Sequence, residues 1–178
     1  MADKFPALDE RLTRFIEAQH MFFVATACAE GYINLSPKGM DSLRVLSDTR
    51  VAWLNLTGSG NESSAHVQDN GRMTIMFCSF DRQPLILRLY GQARVVHPRD
   101  SDWDALYAQF GDWVGARQIF DMHVELVQTS CGYAVPHLEF SSERDTLTKW
   151  AEKRGREGVE TYWSERNQLT LNGKPTNI

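Results

Sequence analysis

The chain lacks most of the residue groupings by which an activity is recognised from sequence. Its three cysteines, Cys28, Cys78 and Cys131, lie far apart with no CxxC spacing. Neither a disulfide framework nor a thiolate metal site is expected, and the odd count suits a reducing compartment. The histidines, His20, His66, His97, His123 and His137, show no HExxH-like spacing, and no metal site is expected. No apolar run approaches a membrane span. The N-terminus, MADKFPALDERLTRF, is charged and has no apolar signal core, so the expected location is the cytoplasm and no membrane partner is expected. A net charge of -4 and a sequence pI near 5.7 argue against the basic field of a general nucleic-acid binder, and leave room for a local basic pocket. No Gly-x-Ser-x-Gly elbow and no GxxxxGK[ST] loop is present. Gly58-Ser59-Gly60 has Ser63 where a dinucleotide fingerprint needs its third glycine, and the βαβ alternation is missing. Hydrolase and Rossmann chemistry are therefore set aside.

What is present is an ordinary globular chain of 178 residues, 42% hydrophobic and 24% charged. That is enough for one domain with a hydrophobic core. No linker-like composition shift, repeat or low-complexity tract divides it. We expect one domain over 1–178 with a helical C-terminal extension from about 145 to 178. Helical spacing of Leu8, Leu12, Phe15 and Ile16 predicts a helix over Leu8–His20, capped by Asp9, as a lid on a sheet. Strands are expected over Met21–Ala27, Tyr32–Ser36, Ser42–Leu46 and Val51–Leu56, with Pro37 ending pairing or marking an edge. A short helix over Glu62–Gln68 stops at Asp69-Asn70-Gly71. Strands over Arg72–Ser79, Leu85–His97 and Ile119–Cys131 follow, with Gly91 expected at a bulge. A helix over Asp100–Phe110 takes Ser101 or Asp102 as its cap. Thr146–Asn167 is amphipathic and is split or loosened at Gly155 and Gly158. Trp103, Trp113, Trp150, Tyr162 and Trp163 are expected in the core or a subunit interface, and Tyr133, on a loop, could line a pocket. Sequential antiparallel strands with few helices predict a mainly β, α+β architecture: a closed or split β-barrel with helical additions.

The stretch Arg50–Gly71, RVAWLNLTGSGNESSAHVQDNG, organises the rest. A strand runs through a turn rich in Gly, Ser and Thr (Thr57–Asn61) into a helix start, a common way to build an anion cradle from hydroxyls and free N–H groups. The bland alternative is that Ser59, Asn61 or Ser63 merely caps a surface helix. Lys38 and Arg44 precede the strand and could bring positive charge beside the turn, although a surface Arg on a strand's polar face is the commoner case for Arg44 taken alone. His66 is expected to pack.

Three segments carry a resemblance: FFVATACAEGYINLSPKG (22–39), VAWLNLTGSGNESSAHVQDNGRMTIMF (51–77) and LRLYGQARVV (87–96). The hallmark is a strand, a small-residue turn, Ala65-His66 on a short helix, the stop Asn70-Gly71, and a strand opening with Arg72. On these the chain resembles the pyridoxamine 5'-phosphate oxidase-like family of FMN-binding split β-barrels. The C-terminal part, including SCGYAVP, looks like a divergent branch of it.

The resemblance implies FMN as cofactor, a homodimer with the flavin between subunits, and flavin-mediated oxidoreductase activity on a small molecule. It matches Arg44 to the basic residue that contacts the flavin phosphate, and Ser42 and Leu43 to the backbone run beside it. Leu54 and Asn55 match strand positions whose backbone meets the flavin. Ser63 and Ser64 fall where the authentic oxidases place an Arg-Lys pair, so hydroxyls replace a charged clamp. We expect Lys38, Asn61 and the helix start to compensate, and the phosphate to be held by Arg44, Lys38 and the Thr57–Ser64 turn with Thr57 and Ser59. Ile86 stands where the oxidases use Gln, and Ser130 where they use Trp. A C-terminal Arg for the pyridoxal phosphate substrate has no match, so vitamin oxidase activity does not follow from the fold. No catalytic side chain is assigned. The alternatives are a flavin- or heme-binding module without turnover, with His66 or His123 relevant to heme, and a deazaflavin-dependent reductase of the same fold.

Overall fold

The structure, a computed structural model, describes residues 2–178. The chain opens with a short strand, β1 (Asp3–Phe5), and a helix, α1 (Glu10–Glu17), whose N-cap Asp9 accepts the Leu12 N–H at 2.7 Å. Strands β2 (Phe22–Thr26), β3 (Asn34–Lys38), β4 (Leu43–Ser47) and β5 (Arg50–Leu56) follow, then the helix α2 (Glu62–Asn70). Strands β6 (Arg72–Cys78) and β7 (Ile86–Val96), helix α3 (Trp103–Tyr107), strand β8 (Ala116–Ser130) and helix α4 (Thr146–Arg166) complete the order.

All pairings are antiparallel, in the order β3-β2-β6-β7-β8-β5-β4, with β1 added to β8. The sheet curls without closing, because β3 and β4 end as edges. The fold is a split β-barrel of α+β class. Two hydrophobic clusters hold it. The larger packs Leu12 and Ile16 of α1 against Val24, Trp53, Ile75, Phe77, Leu89 and Phe120. The smaller sits under α3 and joins Ala52, Leu54, Val96, Trp103 and Ile119. The two clusters lie on opposite faces of β5, because successive residues of a strand point to opposite sides.

The register shifts between Tyr90 and Gly91 of β7. A Cβ at Gly91 would lie 1.9 Å from the His123 carbonyl oxygen, so the bulge expected from sequence depends on glycine through close approach of β8. Among the described residues no helix is long and apolar enough to cross a membrane.

Several boundaries differ from the sequence expectation. The Leu8–His20 helix contracts to α1, and Gln19 and His20 lie beyond it. The Asp100–Phe110 helix contracts to the five residues of α3, and its cap is unused: Asp102 forms an ion pair with Arg94 at 2.8 Å. β3 starts later than expected and pairs through Pro37, which an edge strand tolerates. β1 was not anticipated. β8 begins at Ala116, three residues before the expected Ile119, which brings Arg117 and Gln118 into the sheet. Gly155 interrupts α4 with φ 67°.

Candidate functional site

The inner face of β3 begins one wall. Asn34, Ser36 and Lys38 alternate with the exposed Leu35 and Pro37, so the three polar side chains point the same way. On β5, Trp53 and Asn55 share a face by the same alternation and line the same space. The turn after β5 is fastened from behind. Thr57 donates its N–H (2.8 Å) and its hydroxyl (2.9 Å) to the Gly115 carbonyl and accepts from Trp163 Nε1 at 2.8 Å.

Asn61 and Gln118 exchange side-chain amide hydrogen bonds at 2.7 and 3.2 Å. Asn61 is thus spent on β8, and no side-chain hydrogen bond caps the start of α2. Ser63, in the first turn of α2, accepts from Asn34 Nδ2 at 3.1 Å and shares a 3.1 Å hydrogen bond with Thr26. The result is a polar cavity of about 530 Å³ whose inner lining includes Asn34, Ser36, Lys38, Asn55, Ser63 and Arg117.

Charge gives this cavity its character. Arg117, on β8, is 2% exposed. Its Nη1 donates to Asn167 Oδ1 at 2.6 Å, and its Nε has no partner. Among the described residues no carboxylate lies within ion-pairing distance of Arg117 or Lys38. Burial lowers the Arg117 pKa to about 9, leaving it charged at neutral pH. Burial, and then the Arg117 charge, lower Lys38 to about 8. Two neighbouring cations without an anion are costly in an empty protein, and such a site favours an incoming anion. Glu62 also lines the cavity, but its carboxylate accepts the Leu171 N–H.

Asn167 holds this arrangement. It is fully buried, accepts from Arg117, and donates Nδ2 to the carbonyls of Gly58 and Ser59 at 3.2 and 3.4 Å. One residue at the end of α4 therefore ties the cation to the turn.

A second, more apolar cavity of about 680 Å³ adjoins the first and shares Lys38, Gly58 and Ser59 with it. Its walls include Met21, Met40, Phe140, Leu147, Trp150 and Tyr162. Trp150 and Tyr162 meet edge to face at 5.1 Å, and Arg154 covers both rings. These two aromatic residues, expected in a core or interface, instead wall a chamber.

The structure brings Lys38, Asn55, Ser59, Asn61 and Ser63 together, with Thr57 supporting the turn. It does not bring Ser42, Leu43 and Arg44 there. Arg44 sits opposite Ala52, on the face of β5 away from Trp53 and Asn55. Both Arg44 Nη groups bind Asp41 at 2.7 and 2.9 Å, and its Nε donates to the Gln109 carbonyl. Ser42, Leu43 and Arg44 line a separate cavity with Phe22 and Phe77.

Leu54 points into the smaller core, and its N–H is taken by the Ser42 carbonyl at 2.8 Å. Ser64 turns away and donates to the Thr176 carbonyl at 2.8 Å. Tyr133 is 82% exposed and lines neither cavity. His66 is buried with Nδ1 on Thr26, and neither it nor His123 lines the two cavities. Arg117 and Asn167 were missed. The only signal was an isolated Arg-Gln pair before an apolar strand and a lone Asn after a helix.

The sequence model of the family described as pyridoxamine 5'-phosphate oxidase matches residues 8–131. The chain belongs to that family. It is 35% identical over 189 aligned positions to the pyridoxamine 5'-phosphate oxidase family protein ustO of Aspergillus flavus, covering 96% of this chain and 76% of that one. Group A Streptococcus HupZ is similar in structure, with TM-score 0.54 and 25% identity over 67% of this chain and 91% of that chain. A candidate pyridoxamine 5'-phosphate oxidase of Lactobacillus delbrueckii shares the fold, with TM-score 0.56 and 19% identity over 69% of this chain and 94% of that chain. The family match ends at residue 131, whereas Phe140, Trp150, Tyr162 and Asn167 come from the segment beyond it. The ustO alignment takes in most of that segment.

Proposed function

We propose that this member of the family binds FMN and acts as a flavin-dependent oxidoreductase on a small molecule. The observation that carries the reading is Arg117: a buried guanidinium whose Nε has no partner among the described residues, facing a polar cavity in which no carboxylate pairs with it, since Glu62 at the cavity wall is turned to the Leu171 N–H. A phosphate monoester supplies the missing charge and acceptors. Arg117 would bind it together with the Ser63 hydroxyl and the uncapped N–H groups that open α2, whose dipole favours an anion. Ser59 and Asn61 shape the turn around it, and Asn55 offers an amide to the polar part of the cofactor. Ser42, Leu43, Arg44, Leu54 and Ser64 have no place in this set.

Bound flavin would supply two-electron transfer at its ring, and the protein would supply position, charge and exclusion of water. Lys38 stands at the border of the polar cavity and the apolar chamber and gives the latter its inner cation. We infer a homodimer as well. Ile33 and Leu35, beside the β3 edge, and Leu169 and Leu171, at the cavity mouth, are 60–84% exposed, an apolar rim that a second copy would cover.

The test is the absorption spectrum of the purified protein, followed by mass identification of the molecule released on denaturation. A flavin spectrum with FMN released is the expected result. A colourless protein that takes up no FMN at micromolar concentration overturns the reading, and a released deazaflavin reassigns the cofactor.

A further inference from the structure

The apolar chamber is walled on one side by a part of the chain that the family match does not include. Phe140, Leu147, Trp150 and Tyr162 close it against Met21, Pro37 and Met40 of the barrel. At about 680 Å³ it has room for a small organic molecule. Its aromatic walls suit a flat apolar body.

Lys38 is the cation that lines its inner end. Asn34 meets Ser63 at the start of α2. Lys38 lies four residues further along β3, so its Cα is about 13 Å from that of Asn34 along the strand. Along β3 the Lys38 backbone is thus set apart from the start of α2, and its side chain, which lines both cavities, stands where the chamber meets the polar cavity. Lys38 Nζ lies 5.3 Å from the Trp53 ring centroid and has no ion-pair partner among the described residues. The other charged chamber residues are Glu143 and Arg144, both exposed and adjacent in sequence. They contribute no net charge, so Lys38, with Arg117 behind it in the polar cavity, makes the inner end positive.

We propose that the chamber is the substrate site and takes a flat, apolar monoanion of the aryl carboxylate type, with its ring against Trp150 and Tyr162 and its anionic group at Lys38. That the bound molecule is a substrate rests on the flavin reading; its binding does not.

The test uses 2-naphthoate and the neutral 2-naphthalenemethanol as probes, titrated calorimetrically into the full chain before and after FMN saturation. The wild type is expected to bind naphthoate more tightly than the alcohol by roughly ten- to hundredfold, the loss that goes with removing one charge-assisted hydrogen bond. Lys38→Met should abolish that preference while leaving the alcohol's affinity unchanged. Trp150→Ala should weaken both probes. Arg117→Met should weaken FMN by roughly ten- to hundredfold and naphthoate binding to the unloaded protein by less than about threefold, which separates failure of the flavin reading from failure of this one. Far-ultraviolet circular dichroism verifies that each variant is folded, and Trp150→Leu replaces Trp150→Ala if the latter is not. Equal affinity for the two probes, undiminished preference in Lys38→Met, or no binding of either probe overturns the proposal.

Discussion

Burying Arg117 without a carboxylate costs free energy in the empty protein, and Asn167 limits that cost. A neutral amide oxygen accepts from the guanidinium at 2.6 Å without cancelling its charge, and the amide nitrogen secures the Gly58 and Ser59 carbonyls. Asn167→Ala should lower unfolding stability by roughly 1–3 kcal/mol, since it strands buried polar groups. It should also lower the ratio of FMN to riboflavin affinity, because Arg117 loses its aim at the phosphate and riboflavin has none. Urea unfolding and paired flavin titrations check this, and a purely structural role for Asn167 would leave the ratio unchanged.

Legibility at this scale was uneven. That Lys38, Ser59, Asn61 and Ser63 meet at one cavity could be read because the last three lie in or beside an obvious turn and Lys38 on a strand shortly before it. Arg44 was misplaced because a strand position one residue off faces the opposite side, and periodicity alone does not show which face of β5 meets the cavity. Arg117 was hidden because Ala116-Arg117-Gln118 breaks the apolar pattern that announces β8.

His97 offers a pH signature. Its ring is buried, its Nδ1 has no partner, and burial, then the Arg99 charge, push its pKa down to about 4. The unfolded chain, with an ordinary pKa near ~6.5, binds this proton first as pH falls. The neutral-imidazole contribution is therefore complete above about pH 6.5 and is lost as pH drops toward 4, by roughly 2 kcal/mol after allowance for screening. Urea midpoints at pH 7 and pH 5 should differ in that direction, and His97→Leu should reduce the difference.

At the scale of elements, strands and α2 were legible where the hydrophobic period was regular, and the Gly91 bulge was legible because glycine interrupts a long apolar run. The Gly91→Ala substitution sets a methyl against the β8 backbone, which cannot yield as a side chain can. It should cost roughly 2–3 kcal/mol, read as a shift of the urea midpoint at pH 7. An unchanged midpoint would mean that the two strands do not approach so closely. β1 was illegible because three residues carry no period. α3 is shorter than expected at both ends, and Asp102, at its N-cap position, pairs with Arg94 without capping it. The kink at Gly155 was expected, but not its setting: α4 passes from the chamber wall at Trp150 and Tyr162 to the anchor at Asn167, serving both cavities with one element.

At the scale of the molecule, a split barrel leaves its edges open, and the segment after residue 131 comes back over the turn that follows β5. Thr57, Gly58, Ser59 and Ser64 are all held by partners from α4 or the tail. The fold class followed from the order of strands, and the family from its turn and Ala-His motif. Cavity formation by distant segments did not, because tertiary return of a helix leaves no local sequence mark. The central claim is that a buried, unpaired cation on β8 receives a cofactor phosphate. Equilibrium titration of FMN and riboflavin into the wild type and Arg117→Met tests it most directly. The account predicts that wild type prefers FMN over riboflavin, and that the substitution weakens FMN by roughly ten- to hundredfold while leaving riboflavin unchanged. Equal loss of both flavins, or no loss of FMN, would contradict it.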